Sequence, residues 1–271
     1  MQRAIESKSE RPLGQAVSRA IEDGLIGGRK ELFITSKLFP TDAYPDGVLP
    51  AIRETLGALE MEYVDLYLIH FPARLKGEKR FVFNGDDVIP LDMKGTWEAM
   101  EECNRLGLAK AIGVSNFSCK KLEQLLVHAK ILPAVNQVEM HPLWKQTQLR
   151  EFCSEKGIHI SAYSPLGGVG VIWGTPAVLA NQEIKSIAES KGKSAAQVCL
   201  RWAFQNGVSF LPKSFNKERL KENSEIFDWE LSGEDMKRLN LLPQKRVALA
   251  EAYVSPNGVF KSCDELWDGE L

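Results

Sequence analysis

Short apolar, β-branched runs alternate along this chain with longer stretches in which apolar positions recur every three or four residues. The runs are residues 32–35 (LFIT), 64–69 (VDLYLI), 111–114 (AIGV), 135–138 (VNQV), 159–162 (HISA) and 208–211 (VSFL). Each has the length and composition of a strand buried on both faces. Between them, residues 50–59, 93–106, 120–128, 146–155, 182–190 and 195–205 carry the period of amphipathic helices. A further helix is expected over 13–26, ending near Gly27-Gly28. This order predicts an α/β chain with parallel strands joined by right-handed crossovers. Two architectures compete, an open doubly wound sheet and a closed (β/α)8 barrel. The open sheet usually carries a Gly-rich phosphate loop after its first strand. Neither GxGxxG nor GxxxxGK[ST] occurs, which favours the barrel. Six strand candidates are two short of a closed barrel, and the chain opens on a helix.

Composition narrows the function. With 271 residues, 44% hydrophobic, the chain can bury the core of one large domain, expected to span 1–271. A formal net charge of -2 implies no general attraction to nucleic acid or to an anionic membrane. The five cysteines are scattered, odd in number and without CxxC, which argues for a reducing compartment and against a disulfide frame or zinc site. The four histidines have no spacing typical of a metal site. Residues 1–11 are polar and carry no apolar h-region, and no apolar run approaches the roughly 20 residues that span a bilayer. A cytoplasmic monomer acting on a small molecule, with no nucleic-acid or membrane partner, is the expectation.

Chemistry concentrates just past the apolar runs. Five runs lead into Ser36-Lys37, His70-Phe71, Ser115-Asn116, Tyr163-Ser164 and Lys213-Ser214, and the fourth, 135–138, contains Asn136-Gln137 and ends near Glu139. In a barrel these ends share one rim, where active sites are built. Lys37 is either a surface lysine or a charge in the barrel mouth. His70 is either a buried histidine bonded to backbone or a donor to a carbonyl oxygen. Tyr163 is either core or a flat face for an aromatic ring. Ser115, Asn116 and Gln137 can bond loop backbone or a carboxamide. In residues 213–223, KSFNKERLKEN, a helix start with Lys213, Ser214 and Arg219 nearby suits a dianionic phosphate, or is a charged surface turn.

In order and spacing, ITSKLF, LYLIHFP, GVSNF, NQVEMHP, AYSPLG and KSFNKERLKEN resemble the aldo-keto reductase superfamily over almost the whole chain. The wording is closest to the plant branch containing chalcone reductase-like, codeinone reductase-like and deoxymugineic acid synthase-like enzymes. The resemblance implies a (β/α)8 barrel that binds NADP(H) without a Rossmann domain and passes hydride to an aldehyde or ketone. It implies that Lys37 lowers the pKa of a proton-donating tyrosine and that His70 orients the carbonyl. Ser115, Asn116 and Gln137 would hold the nicotinamide carboxamide, Tyr163 would stack on its ring, and Ser164 and Leu166 would follow the pyrophosphate. Lys213, Ser214, Phe215, Asn216, Arg219, Glu222 and Asn223 would clamp the adenosine and its 2′-phosphate. Phe71, Trp173 and the segment 247–253 would wall the substrate pocket with His70.

One departure matters. Family members carry an N-terminal hairpin, two strands and a motif like DTAxxYGSE before the helix matching 13–26. Ser9-Glu10 resembles the tail of that motif, but its aspartate and tyrosine have no counterpart in residues 1–11. The expectation is therefore a barrel lacking the hairpin and first two strands, with the reductase activity in doubt for the chain as written. The alternative is a catalytically impaired NADP(H)-binding paralogue or truncated form.

Overall fold

The computed structural model describes residues 9–77 and 83–271. They form two compact units, one of the described residues up to 136 with 251–270 and one of 137–250 with Leu271.

In the first unit α1 (Glu10–Glu22) is followed by β1 (Thr35–Leu38), α2 (Pro45–Leu59) and β2 (Val64–Ile69). A short antiparallel pair, β3 (Arg74–Leu75) with β4 (Val88–Ile89), precedes α3 (Met93–Arg105), β5 (Ala109–Ser115) and α4 (Cys119–Leu126). A last turn of helix, Cys263–Leu266, lies in the returning C-terminal segment. Strands β1, β2 and β5 are parallel neighbours in that order, with Lys37 level with Leu68 and Leu68 level with Gly113. The starts are capped where the sequence supplies an acceptor: Asp92 takes the Gly95 N–H and Ser118 the Lys121 N–H. Leu38, Leu68, Ile69, Ile112 and Val114 of the strands are buried, as are Ile52, Leu59, Trp97 and Met100 of the helices.

The second unit takes up β6 (Val135–Glu139) from Gln137 and continues through α5 (Thr147–Glu155), β7 (His159–Tyr163), the short α6 (Ala177–Ala180), α7 (Gln182–Lys191), α8 (Ala195–Gln205) and β8 (Ser209–Leu211). It closes with α9 (Lys217–Ser224) and α10 (Gly233–Asn240). The order β6-β7-β8 is again that of hydrogen-bonded neighbours, β7 and β8 being parallel. Trp202 is buried with its indole N–H on Asn240 Oδ1 at 3.1 Å, so the ring fills the core without leaving a donor unpaired.

Several expected boundaries move, the start of the 50–59 helix to Pro45 among them, and two show a clear cause. The first helix stops at Glu22, not Ile26, because the Asp23 N–H closes onto Arg19 and Ile21 carbonyls and Gly24 turns to φ +69°. The first strand starts at Thr35, where 32–35 was expected. The Ile34 N–H is taken by the Asp65 carboxylate at 2.7 Å and the Leu32 carbonyl by Arg29 at 2.7 Å, so side chains claim these backbone groups ahead of the ladder. Lys37 therefore lies inside β1 and not beyond it.

Helices α1 and α2 meet backbone to backbone at Gly14, where an added Cβ would lie 2.2 Å from the Leu59 carbonyl oxygen. Gly14→Ala must push the helices apart and is expected to cost about 1–3 kcal/mol. A urea midpoint unchanged by this substitution would contradict the close approach. Among the described residues no helix is long and apolar enough to cross a membrane, and the five cysteines are free thiols.

Candidate functional site

In the first unit the strand ends bring Lys37, His70, Ser115 and Asn116 together. Lys37 is 9% exposed, and burial lowers its ammonium to about 7. His70 follows β2 directly and its N–H donates to the Leu38 carbonyl at 3.0 Å. Its ring is tilted against Phe39, with centroids 5.9 Å apart. Burial, then the positive charge of Lys37, holds the imidazole well below its usual range, so it is neutral near pH 7. Its Nδ1 is enclosed without a partner. Asn116 adopts the left-handed region at φ 66°. That turn aims its amide back: Nδ2 donates to the His70 carbonyl at 2.9 Å and to Ser115 Oγ at 3.2 Å. A strained residue fastening one strand end to the next is a common device at ligand sites.

Phe71 is buried. Its ring is buried against Tyr253, with centroids 4.0 Å apart at 21°, and meets the edge of Trp267 at 5.9 Å. Beside Lys37, a cavity of about 40 Å³ is lined by Glu10, Asp42, Glu54 and Thr55 among others. Ser36 and Thr55 hydroxyls donate to Glu10 Oε1 at 2.8 and 3.1 Å. Glu10 thus sits at the root of the site, a position that the sequence marked only as the tail of a motif.

In the second unit Gln137 is buried in β6 and Tyr163 ends β7 half-buried. Burial, then the negative charge of Glu139, pushes the Tyr163 phenol well above its usual range. Ser164 is a second non-glycine residue in the left-handed region, at φ 49°. It starts a tight loop: the Gly167 N–H reaches the Ser164 carbonyl at 2.9 Å, and Thr175 N–H returns to Gly167 at 2.8 Å. Leu166 and Trp173 are half-buried there, and the Trp173 indole N–H is enclosed without a partner.

The segment 213–223 becomes an open, cationic helix start. Asn216 caps α9, its side chain accepting the Arg219 N–H at 2.9 Å, and Ser214 Oγ accepts the Asn216 N–H at 3.1 Å. Phe215 is 88% exposed, with Lys213 Nζ 3.7 Å from its ring centroid. Glu222 is turned inward instead, accepting the hydroxyl of Ser194, while Asn223 is half-buried.

One feature had only a faint sequence signal. The Glu139 carboxylate, 1% exposed, accepts the Val247 N–H at 3.2 Å, the Ala248 N–H at 2.9 Å and a hydrogen bond with His141 Nε2 at 3.1 Å. A buried acid at the end of an apolar strand is the clue; its two backbone partners, more than a hundred residues later, are not readable from the chain.

A family model described as the aldo/keto reductase family matches residues 6–242. Over 268 residues the chain is 55% identical to (1S)-1,7-diacetoxy-luvungin A aldo-keto reductase of Citrus sinensis, covering 99% of this chain and 84% of that protein. It is 53% identical over 269 residues to deoxymugineic acid synthase 1 of Oryza sativa subsp. japonica, covering 99% and 85%. Among solved structures it resembles the aldose reductase of Schistosoma japonicum at 34% identity and TM-score 0.83, covering 93% of this chain and 83% of that one. A Bombyx mori aldo-keto reductase in complex with NADP matches at 36% identity and TM-score 0.79, covering 88% and 76%.

Proposed function

The chain belongs to the aldo/keto reductase family, and on that premise we propose that it binds NADP(H) and reduces the carbonyl of a small aldehyde or ketone to an alcohol. The observation that carries this reading is a neutral His70 beside Lys37 at the strand ends. A carbonyl oxygen that gains negative charge needs a hydrogen-bond donor and a nearby cation, fixed before the reaction begins. His70 can orient that oxygen, and Lys37, poised near neutrality, can supply charge or a proton.

The residues present fit the cofactor. Gln137 is buried near a strand end, as are Ser115 and Asn116 in their own unit, and these suit a carboxamide. The half-buried ring of Tyr163 suits a stacked nicotinamide, and Ser164 and Leu166 at the loop start suit the pyrophosphate. Lys213, Ser214, Phe215, Asn216 and Arg219 surround an open helix start that suits an adenosine carrying a 2′-phosphate, with Glu222 and Asn223 one turn further. When bound, NADPH supplies the hydride.

The double variant Lys213→Ala with Arg219→Ala is expected to weaken NADPH binding about 10–100-fold while barely changing NADH. Fluorescence titration checks this; an equal loss for both nucleotides would remove the 2′-phosphate from the assignment. The reading as a whole is tested by loss of NADPH absorbance in the presence of aromatic and aliphatic aldehydes.

A further inference from the structure

The segments leaving β1 and β2 stay side by side past the site. The His70 N–H reaches the Leu38 carbonyl and, further on, the Leu75 N–H reaches the Pro40 carbonyl, both at 3.0 Å. Thr41 follows Pro40 and Arg74 precedes Leu75, so the two flank this second bond. Arg74 sits over the Tyr44 ring, its Cζ 4.3 Å from the centroid. Stacking of this kind holds a guanidinium in one plane while leaving its edge free to donate.

Both residues are short of partners. Arg74 Nε is enclosed without a hydrogen bond, and so is the hydroxyl of Thr41, which is only 7% exposed. No carboxylate among the described residues pairs with Arg74, whereas Arg29 has Asp65 and Arg238 has Glu183. Asp42, the nearest acid in sequence, lines the small cavity with Glu10 and Lys37. Unpaired buried donors are costly, and these two stand on the two chain segments joined by the Leu75–Pro40 bond, with no acceptor from the chain itself.

Resting on the carbonyl-reductase reading, we propose that Arg74 and Thr41 form a carboxylate subsite that selects aldehydes and ketones bearing a carboxylate. The guanidinium fork takes a carboxylate through two parallel N–H bonds, and the threonine hydroxyl adds a third. Arg74 lies four residues after His70, at most about 14 Å along extended chain. A substrate of one ring or a short chain bridges that span, with its carbonyl at His70 and its acid at Arg74.

The test is calorimetric titration of the full chain, saturated with NADP, using 4-formylbenzoate and its neutral counterpart methyl 4-formylbenzoate. The wild-type protein is expected to bind the acid about tenfold or more tightly than the ester. Arg74→Ala should erase that preference and leave the ester affinity unchanged, Arg74→Lys should keep part of it, and Thr41→Val should reduce it about threefold. No preference in the wild type, or the same preference in Arg74→Ala with an unchanged melting temperature, overturns the proposal. Inorganic phosphate that displaces 4-formylbenzoate with equal affinity overturns the carboxylate assignment. Discriminating binding without NADPH oxidation of either aldehyde sinks the reductase reading and leaves the subsite standing. Oxidation by both aldehydes at equal kcat/KM, with equal affinities, does the reverse.

Discussion

Glu139→Ala is expected to lower the unfolding free energy by about 3–5 kcal/mol. Its carboxylate is the common acceptor for the Val247 and Ala248 N–H groups and the partner of His141 Nε2, all well inside the second unit. Alanine leaves these groups facing a void. Each enclosed donor that loses its acceptor costs about 1–3 kcal/mol, and water can recover part of that only if the void admits it. Glu139→Gln retains an acceptor oxygen and should cost less than half as much. Denaturant unfolding of both variants, with amide exchange read at residues 247 and 248, separates local release of this segment from general weakening. The charge of Glu139 also raises the Tyr163 phenol, so removing it should move that phenol's titration downward. An alanine variant within about 1 kcal/mol of the wild type would show that the carboxylate does not hold the segment.

Lys121→Met is expected to cost about 3 kcal/mol, towards the lower end for breaking a buried pair because Asp268 keeps a narrow window to solvent. Lys121 Nζ donates to Asp268 and to the Leu266 carbonyl, and Ser118 Oγ donates to the same carboxylate. The Cys119 N–H meets Glu270 Oε1 at 2.8 Å. These bonds fasten the returning segment 263–270 to the start of α4, within the first unit, where Trp267 abuts Phe71. The pH dependence distinguishes charge from packing. Burial raises the Asp268 carboxyl, but bonds from Lys121 and Ser118 and the lysine charges outweigh it, leaving the group below its usual range. A carboxyl lowered in the folded state stabilises above its unfolded value, about 3.9, and loses that contribution as pH falls through the folded value. The gap between wild type and Lys121→Met should therefore be full at pH 7 and narrow below about pH 4. A gap independent of pH would assign the effect to the lysine's alkyl chain.

Much of this was readable beforehand where one stretch of chain holds both cause and effect. The runs 64–69 and 135–138 fall within β2 and β6, since continuous apolar, β-branched residues suit only strands covered on both faces. The helix over 195–205 was found to the residue from its period, and the structure shows a capping box of Ser194 and Gln197 at its start. The first strand was misplaced because Asp65, thirty-one residues from Ile34, takes its N–H. Trp97 and Trp202 fall within the expected helical stretches and are buried, whereas the short pair β3 and β4 has too few residues to show a period. Lys37 and His70 were picked out as residue types near strand ends, but the burial that lowers both comes from packing.

The sequence by itself determined the α/β alternation, the family and the roster of polar groups leaving the strands, because periodicity, capping and motif order are local properties of a chain. Only the tertiary structure decided which of those groups are buried, which are neutral near pH 7, and which donors, as at Arg74 and Thr41, are left without an acceptor. Those outcomes depend on desolvation and on partners a hundred or more residues away in places, and free energies of that kind are set by neighbours in space and not by neighbours in sequence.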